Sequence, residues 1–188
     1  ILNYLNHRGP DNTGTWINNS KNIFLGHKRL SIIDIEDTGN QPMLSNSGRF
    51  VISYNGEIYN FKELRKELEK EGSKYFKGSS DTEVLLNSIE IHGLNETLSL
   101  IDGMFAFAIY DKKTKIISLC RDRFGEKPLY YGLKYNNLFF SSELKPLKKI
   151  DFLNLEINNQ AINLYFKFGY IPHPHTIYSD VFKVEPGQ

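Results

Sequence analysis

Along the chain, the period of apolar and polar positions changes several times. Alternation over 14–17 and 23–29 predicts two strands joined across Asn18-Asn19-Ser20, a hairpin composition. HRGPD (7–11) reads as loop, and 37–47 as a long polar loop. A strand is predicted over 50–54, followed by Asn55-Gly56, a common turn pair, and then by Glu57. Phe61, Leu64 and Leu68 share one face of a helix over 61–71 that Gly72 ends. Ser80 and Glu83 have the spacing of a capping box before a second helix, with Val84, Leu85 and Ile89 inward and Gly93 as its stop. The apolar runs 104–110 and 116–120 flank a turn at 111–114 and predict a hairpin buried on both faces. Strands over 128–133 and 138–142 meet across Asn136-Asn137, a late helix covers 161–168, and 172–175 reads as a connector. Strands, two helices, strands and a helix in that order predict an α+β layered fold of mostly antiparallel sheets.

The 188 residues suffice for one domain with a real core, and 40% hydrophobic and 13% aromatic content is that of a globular protein. A net charge of +1 gives no reason to expect nucleic acid as a partner, and no apolar run has the length of a membrane span. The single cysteine, Cys120, excludes an internal disulfide and fits a cytoplasmic setting. Leu2 and Leu5 resemble the last turn of a helix. With no initial Met and no signal region, the chain is expected to be a fragment cut inside an element.

Individual residues point to little. His173 and His175 lack further ligands at metal spacing, and no Gly-rich phosphate motif occurs. Cys120 lies in a predicted strand with no histidine nearby, which suits a buried thiol better than a nucleophile. Arg29 reads as a surface arginine, Asp81 as a first-turn helix carboxylate, and Glu57 as an opener of the helix near Phe61.

Together, eight segments resemble the glutamine amidotransferase domain of glutamine-hydrolysing asparagine synthetases. They are HRGPD (7–11), GHKRLSIID (26–34), QPM (41–43), YNGEIYNF (54–61), GSSDTEV (78–84), GMFAFAIYD (103–111), RDRFGEKPLYYG (121–132) and FSSELKPL (140–147). The resemblance implies an N-terminal-nucleophile hydrolase fold, a four-layer αββα sandwich of two antiparallel sheets. It places this domain at 1–157 and, at 158–188, a connecting helix and linker towards a missing synthetase domain. It assigns the oxyanion hole to the Asn55 side-chain amide and the Gly56 backbone N–H, and the substrate carboxylate to Arg29. Glu57 and Asp81 take the substrate ammonium, and backbone around Leu30 and Ile33 lines the same pocket. The family's nucleophile, a cysteine at the start of the mature chain, is absent here, so the chain as given is expected to be inactive.

No cofactor is expected in this domain. The resemblance implies that ATP and Mg2+ are used by the missing synthetase domain, which is expected to activate aspartate as an acyl-adenylate and to receive ammonia from the glutaminase. Glutamine and that domain are the expected partners, a homodimer is allowed, and neither nucleic acid nor membrane is expected. An amidotransferase for another acceptor, and an inactive glutamine-binding or scaffold module, fit the same residues.

Overall fold

In the computed structural model, residues 1–72 and 76–188 are described. The strands are β1 (Asn12–Ile17), β2 (Phe24–Arg29), β3 (Met43–Leu44), β4 (Phe50–Ile58), β5 (Gly103–Asp111), β6 (Ile116–Arg121), β7 (Tyr130–Lys134), β8 (Asn137–Ser141) and β9 (Phe182–Lys183). The α-helices are α1 (Phe61–Lys70), α2 (Asp81–His92), α3 (Leu94–Leu100), α4 (Leu144–Leu147) and α5 (Asn159–Phe168).

β4 and β5 form the spine of the molecule. They pair antiparallel from Phe50 opposite Asp111 to Ile58 opposite Gly103, and the full sheet runs β3-β4-β5-β6. Side chains alternate across a strand. Ile52, Tyr54 and Ile58 of β4 and Phe105, Phe107 and Ile109 of β5 therefore share one face. They pack there on Leu64 and Leu68 of α1 and on Val84, Leu85 and Ile89 of α2. Val51 and Tyr110 face the other way, onto Leu25 of the β1–β2 ribbon, and Ala106 meets Leu129 and Val184. That second layer consists of β1–β2 and the sheet β8-β7-β9. Beyond it, Leu147 of α4 and Leu153 pack on Phe139 of β8.

Several expectations need correction. The strand predicted over 50–54 continues to Ile58, so Asn55-Gly56 is not a turn and Glu57 does not open α1. Tertiary pairing with β5 overrides the local turn preference. The loop predicted over 37–47 contains β3, which pairs Met43 with Ile52 and Leu44 with Val51, and a 3-10 turn at Asp37–Gly39. α3 was not expected; it is short and begins directly after Gly93, whose φ of 82° ends α2. β6 is only partly buried, since Ile116 at its start is exposed.

The capping box forms by half. Ser80 Oγ accepts from the Glu83 amide at 3.2 Å, but the Glu83 carboxylate turns instead to the amides of Lys77 (2.7 Å) and Gly78 (2.9 Å). α5 is capped by Asn158 Oδ1, which accepts from the Ala161 amide at 3.1 Å. Among the described residues, no helix is long and apolar enough to cross a membrane.

Candidate functional site

β3 covers only the first part of β4's free edge, and an unpaired strand edge exposes backbone donors that need partners. Past Ile52 the edge is served by side chains. Gln41 Oε1 accepts from the Tyr54 amide at 2.6 Å, and Asp81 Oδ2 accepts from the Ile58 amide at 3.0 Å. By the period of two, the Gly56 amide between them also points off the edge, away from β5. On the β5 side, Phe105 opposite Gly56 directs its own amide and carbonyl to Asp122. Among the described residues, Gly56 N–H is thus an unclaimed donor on the sheet edge.

Asn55 faces the opposite way, towards β2. Its Nδ2 is buried and has no acceptor among the described residues. A buried amide without a partner costs stability, and native folds seldom keep one. Asn55 and Gly56 are thus adjacent residues, each with a donor that no acceptor among the described residues claims.

Both residues line a cavity of about 270 Å3. It is lined by Arg29, Leu30, Ile33, Asn55, Gly56, Glu57 and Asp81, so all seven residues singled out in the sequence meet at one pocket. Its volume lies just below the ~300–1,000 Å3 of drug-sized sites, which suits a small ligand. A second, mostly apolar cavity of about 260 Å3 adjoins it and shares Tyr54, Asn55, His27, Lys28 and Arg8 as walls.

Arg29 ends β2 and is 8% exposed. Its Nη1 donates to Glu36 O at 2.8 Å and to Asn40 Oδ1 at 2.9 Å, and its Nη2 donates to Asp34 O. Three of the five guanidinium N–H groups are so used, and two remain. Gly39 makes room for this arrangement, because a Cβ there would lie 2.1 Å from Arg29 Nη2. Asp34 binds the 34–39 loop to the entry of α2, accepting from the amides of Glu36 (3.1 Å) and Ser79 (3.0 Å) and from Thr38 Oγ1. Burial pushes its carboxyl up, but the Ser79 and Glu36 amides, Thr38 and the Arg29 charge outweigh this and hold it below the usual range.

Two carboxylates line the same pocket as this cation. Asp81 opens α2 and is 5% exposed. Oδ2 also accepts from Tyr54 Oη at 2.8 Å, and Oδ1 accepts from the Thr82 amide at 2.8 Å. The Glu57 carboxylate, on the next residue along β4 from Gly56, has no hydrogen-bond or ion-pair partner among the described residues. The pocket thus places a cation with spare donors, two carboxylates and two unclaimed N–H groups around one small volume.

Several other residues line the pocket, His27, Gln41, Tyr54 and Lys127 among them, without an assigned role in the sequence. His27 is half-buried near Arg29, and desolvation first and that charge second lower its pKa to about 4, so it is neutral at pH 7. Gln41 and Tyr54 lay inside quoted motifs, but only the structure shows which groups they hold. Lys127 is set by its backbone, whose amide donates to Asp122 Oδ2 at 2.9 Å and whose carbonyl accepts from Arg121 Nε at 2.6 Å. Cys120 is buried in the core on the helix side of the sheet, outside the pocket, and burial pushes its thiol up to about 12.

The sequence model of the glutamine amidotransferase domain family matches residues 1–188, and the chain belongs to that family. It is 42% identical to the glutamine-hydrolysing asparagine synthetase 1 of Bacillus subtilis over 96% of its length, which is 28% of that relative. With asparagine synthetase 3 of the same organism it shares 35% identity over 97% of its length and 29% of the relative. The chain therefore spans less than a third of the length of these two curated relatives. Among solved structures, glutamine phosphoribosylpyrophosphate amidotransferase from B. subtilis matches with a TM-score of 0.56 and 28% identity, over 65% of this chain and 28% of that one. The fold is accordingly the α+β sandwich of the N-terminal-nucleophile glutamine amidotransferases.

Proposed function

We propose that the pocket binds glutamine as a zwitterion and stabilises the oxyanion formed when its side-chain amide is attacked. Arg29 takes the α-carboxylate through its two spare N–H groups, as a guanidinium fork suits a carboxylate. Asp81 and Glu57 take the ammonium. Asn55 Nδ2 and the Gly56 amide donate to the carboxamide oxygen as it gains charge. Leu30 and Ile33 wall the pocket. The observation that carries this reading is the Asn55 amide, buried without an acceptor beside a second unclaimed donor.

A thiol gives up its proton and attacks the amide carbon to form a tetrahedral oxyanion; the nitrogen takes up that proton and leaves as ammonia, giving a glutamyl thioester, which water cleaves to glutamate and the free thiol. Cys120 does not supply that thiolate, being outside the pocket and far too weak an acid. The 188 residues alone therefore release no ammonia from glutamine. In the complete protein, ammonia passes to aspartate activated by ATP and Mg2+ in a synthetase domain, in a cytoplasmic enzyme of the asparagine synthetase kind. This is supported by the identity to such enzymes over nearly the whole chain.

The test is Asp81→Ala in the complete protein. It is expected to weaken glutamine-dependent synthesis while sparing synthesis from free ammonia. Equal loss of both contradicts the assignment.

A further inference from the structure

Asp81 has one feature that its place at a helix start does not require. Each carboxylate oxygen accepts about two hydrogen bonds, giving about four sites in all. Oδ2 is filled by Tyr54 Oη and the Ile58 amide, while among the described residues Oδ1 carries only the Thr82 amide. The spare acceptor site is on Oδ1, and the carboxylate is kept from rotating by the two bonds at Oδ2.

Tyr54 is itself fixed at both ends. Its amide is held by Gln41 Oε1 at 2.6 Å, and its ring packs near Phe107 with centroids 6.4 Å apart. It is 3% exposed, and burial first, with the Asp81 charge and hydrogen bond after it, raises its pKa well above the ordinary value. The phenol thus stays protonated and donates at any physiological pH. A phenylalanine fills the same apolar space, so packing alone does not call for the hydroxyl.

We propose that Tyr54 is a positioning residue for amino-acid recognition: its hydroxyl, bonded to Asp81 Oδ2, locks that carboxylate with Oδ1 turned to the ligand's ammonium group. The proposal rests on the reading of the pocket as a glutamine site. It makes selection for an α-amino acid depend on a residue of β4 acting through a residue of α2. Tyr54 touches Asp81 rather than the reacting amide, so its effect falls on binding of the α-amino end and not on the chemical step.

The experiment is steady-state amide hydrolysis by the complete protein, comparing glutamine with glutaramate, the same molecule without its α-amino group. Tyr54→Phe is expected to raise KM for glutamine about tenfold, leave kcat within twofold, and leave kcat/KM for glutaramate unchanged. Asp81→Asn is expected to discriminate between the two substrates in the same sense. Adding Tyr54→Phe to Asp81→Asn is then expected to change nothing further, because the two act through one contact. Thermal unfolding of each variant shows whether the fold is kept. A Tyr54→Phe effect equal on both substrates, or one that persists in full on the Asp81→Asn background, overturns the proposal. If Asp81→Asn itself fails to discriminate, the assignment of the ammonium to Asp81 falls, and the role of Tyr54 falls with it.

Discussion

Gly56 of β4 lies directly opposite Phe105 of β5, and the two strands approach so closely that a Cβ on Gly56 would sit 2.7 Å from the Phe105 Cα and 2.3 Å from the Met104 carbonyl oxygen. The obstacle is backbone, which cannot swing aside as a flexible side chain does. Gly56→Ala is therefore expected to destabilise the chain by about 1–3 kcal/mol, the usual scale of overpacking. A lower urea midpoint at unchanged slope checks this. Because the strand must shift, the variant is also expected to bind glutamine more weakly.

Asn55 presents the opposite case, a group whose removal relieves the free chain. Its Nδ2 is buried without an acceptor, so Asn55→Leu is expected to leave stability unchanged or raise it by up to about 1 kcal/mol. In the complete protein, the same change is expected to lower the turnover of glutamine about 100- to 1,000-fold, as for loss of one oxyanion donor. Paired thermal unfolding and ammonia-release assays read the two effects. A clear loss of stability with no loss of turnover would show that Asn55 is structural.

His27 sets a pH dependence. Its folded pKa of about 4 lies below the ordinary 6.5, so the unfolded chain binds the proton more readily. Its contribution to stability is complete above about pH 6.5, falls as the pH drops towards 4, and levels off below that. The difference is of order 3 kcal/mol as an upper figure. Urea unfolding at pH 7.5, 5.5 and 4.5 is expected to show this decline, and His27→Gln is expected to flatten it.

Cys120 should be inert in the folded chain. It is 3% exposed, and its thiol is pushed up to about 12 by burial, so almost no thiolate exists at pH 8. Iodoacetamide is expected to label it only once denaturant unfolds the sheet, which mass spectrometry shows. Rapid labelling of the native chain would contradict this.

Much of the fold was legible because it rests on local patterning. The hairpin from β1 to β2, the amphipathic face of α1 and the Ser80 cap of α2 each follow from a few neighbouring residues. Asn55-Gly56 misled for the same reason. Alone it is a turn pair, and only its register against Ala106 and Phe105, far away in sequence, keeps it extended. β3 is two residues long, too short for any periodicity.

The site was legible as residue types within motifs, not as geometry. Arg29 and Asp81 stood out only through the family resemblance, since each has an ordinary local reading. What the sequence could not carry is the arrangement along the β4 edge. There Gln41 and Asp81 take the amides on either side of Gly56 and leave that one free. The link from Tyr54 to Asp81 spans two elements, and no spacing rule reports it.

The most direct test of the account is to follow the Asn55 side-chain amide and the Gly56 backbone amide by 15N NMR while glutamine is added to the chain. The account predicts that both signals shift together and saturate with one dissociation constant, which Asp81→Asn raises. Unmoved Asn55 and Gly56 signals at saturating glutamine, or shifts confined to residues outside this pocket, would contradict it.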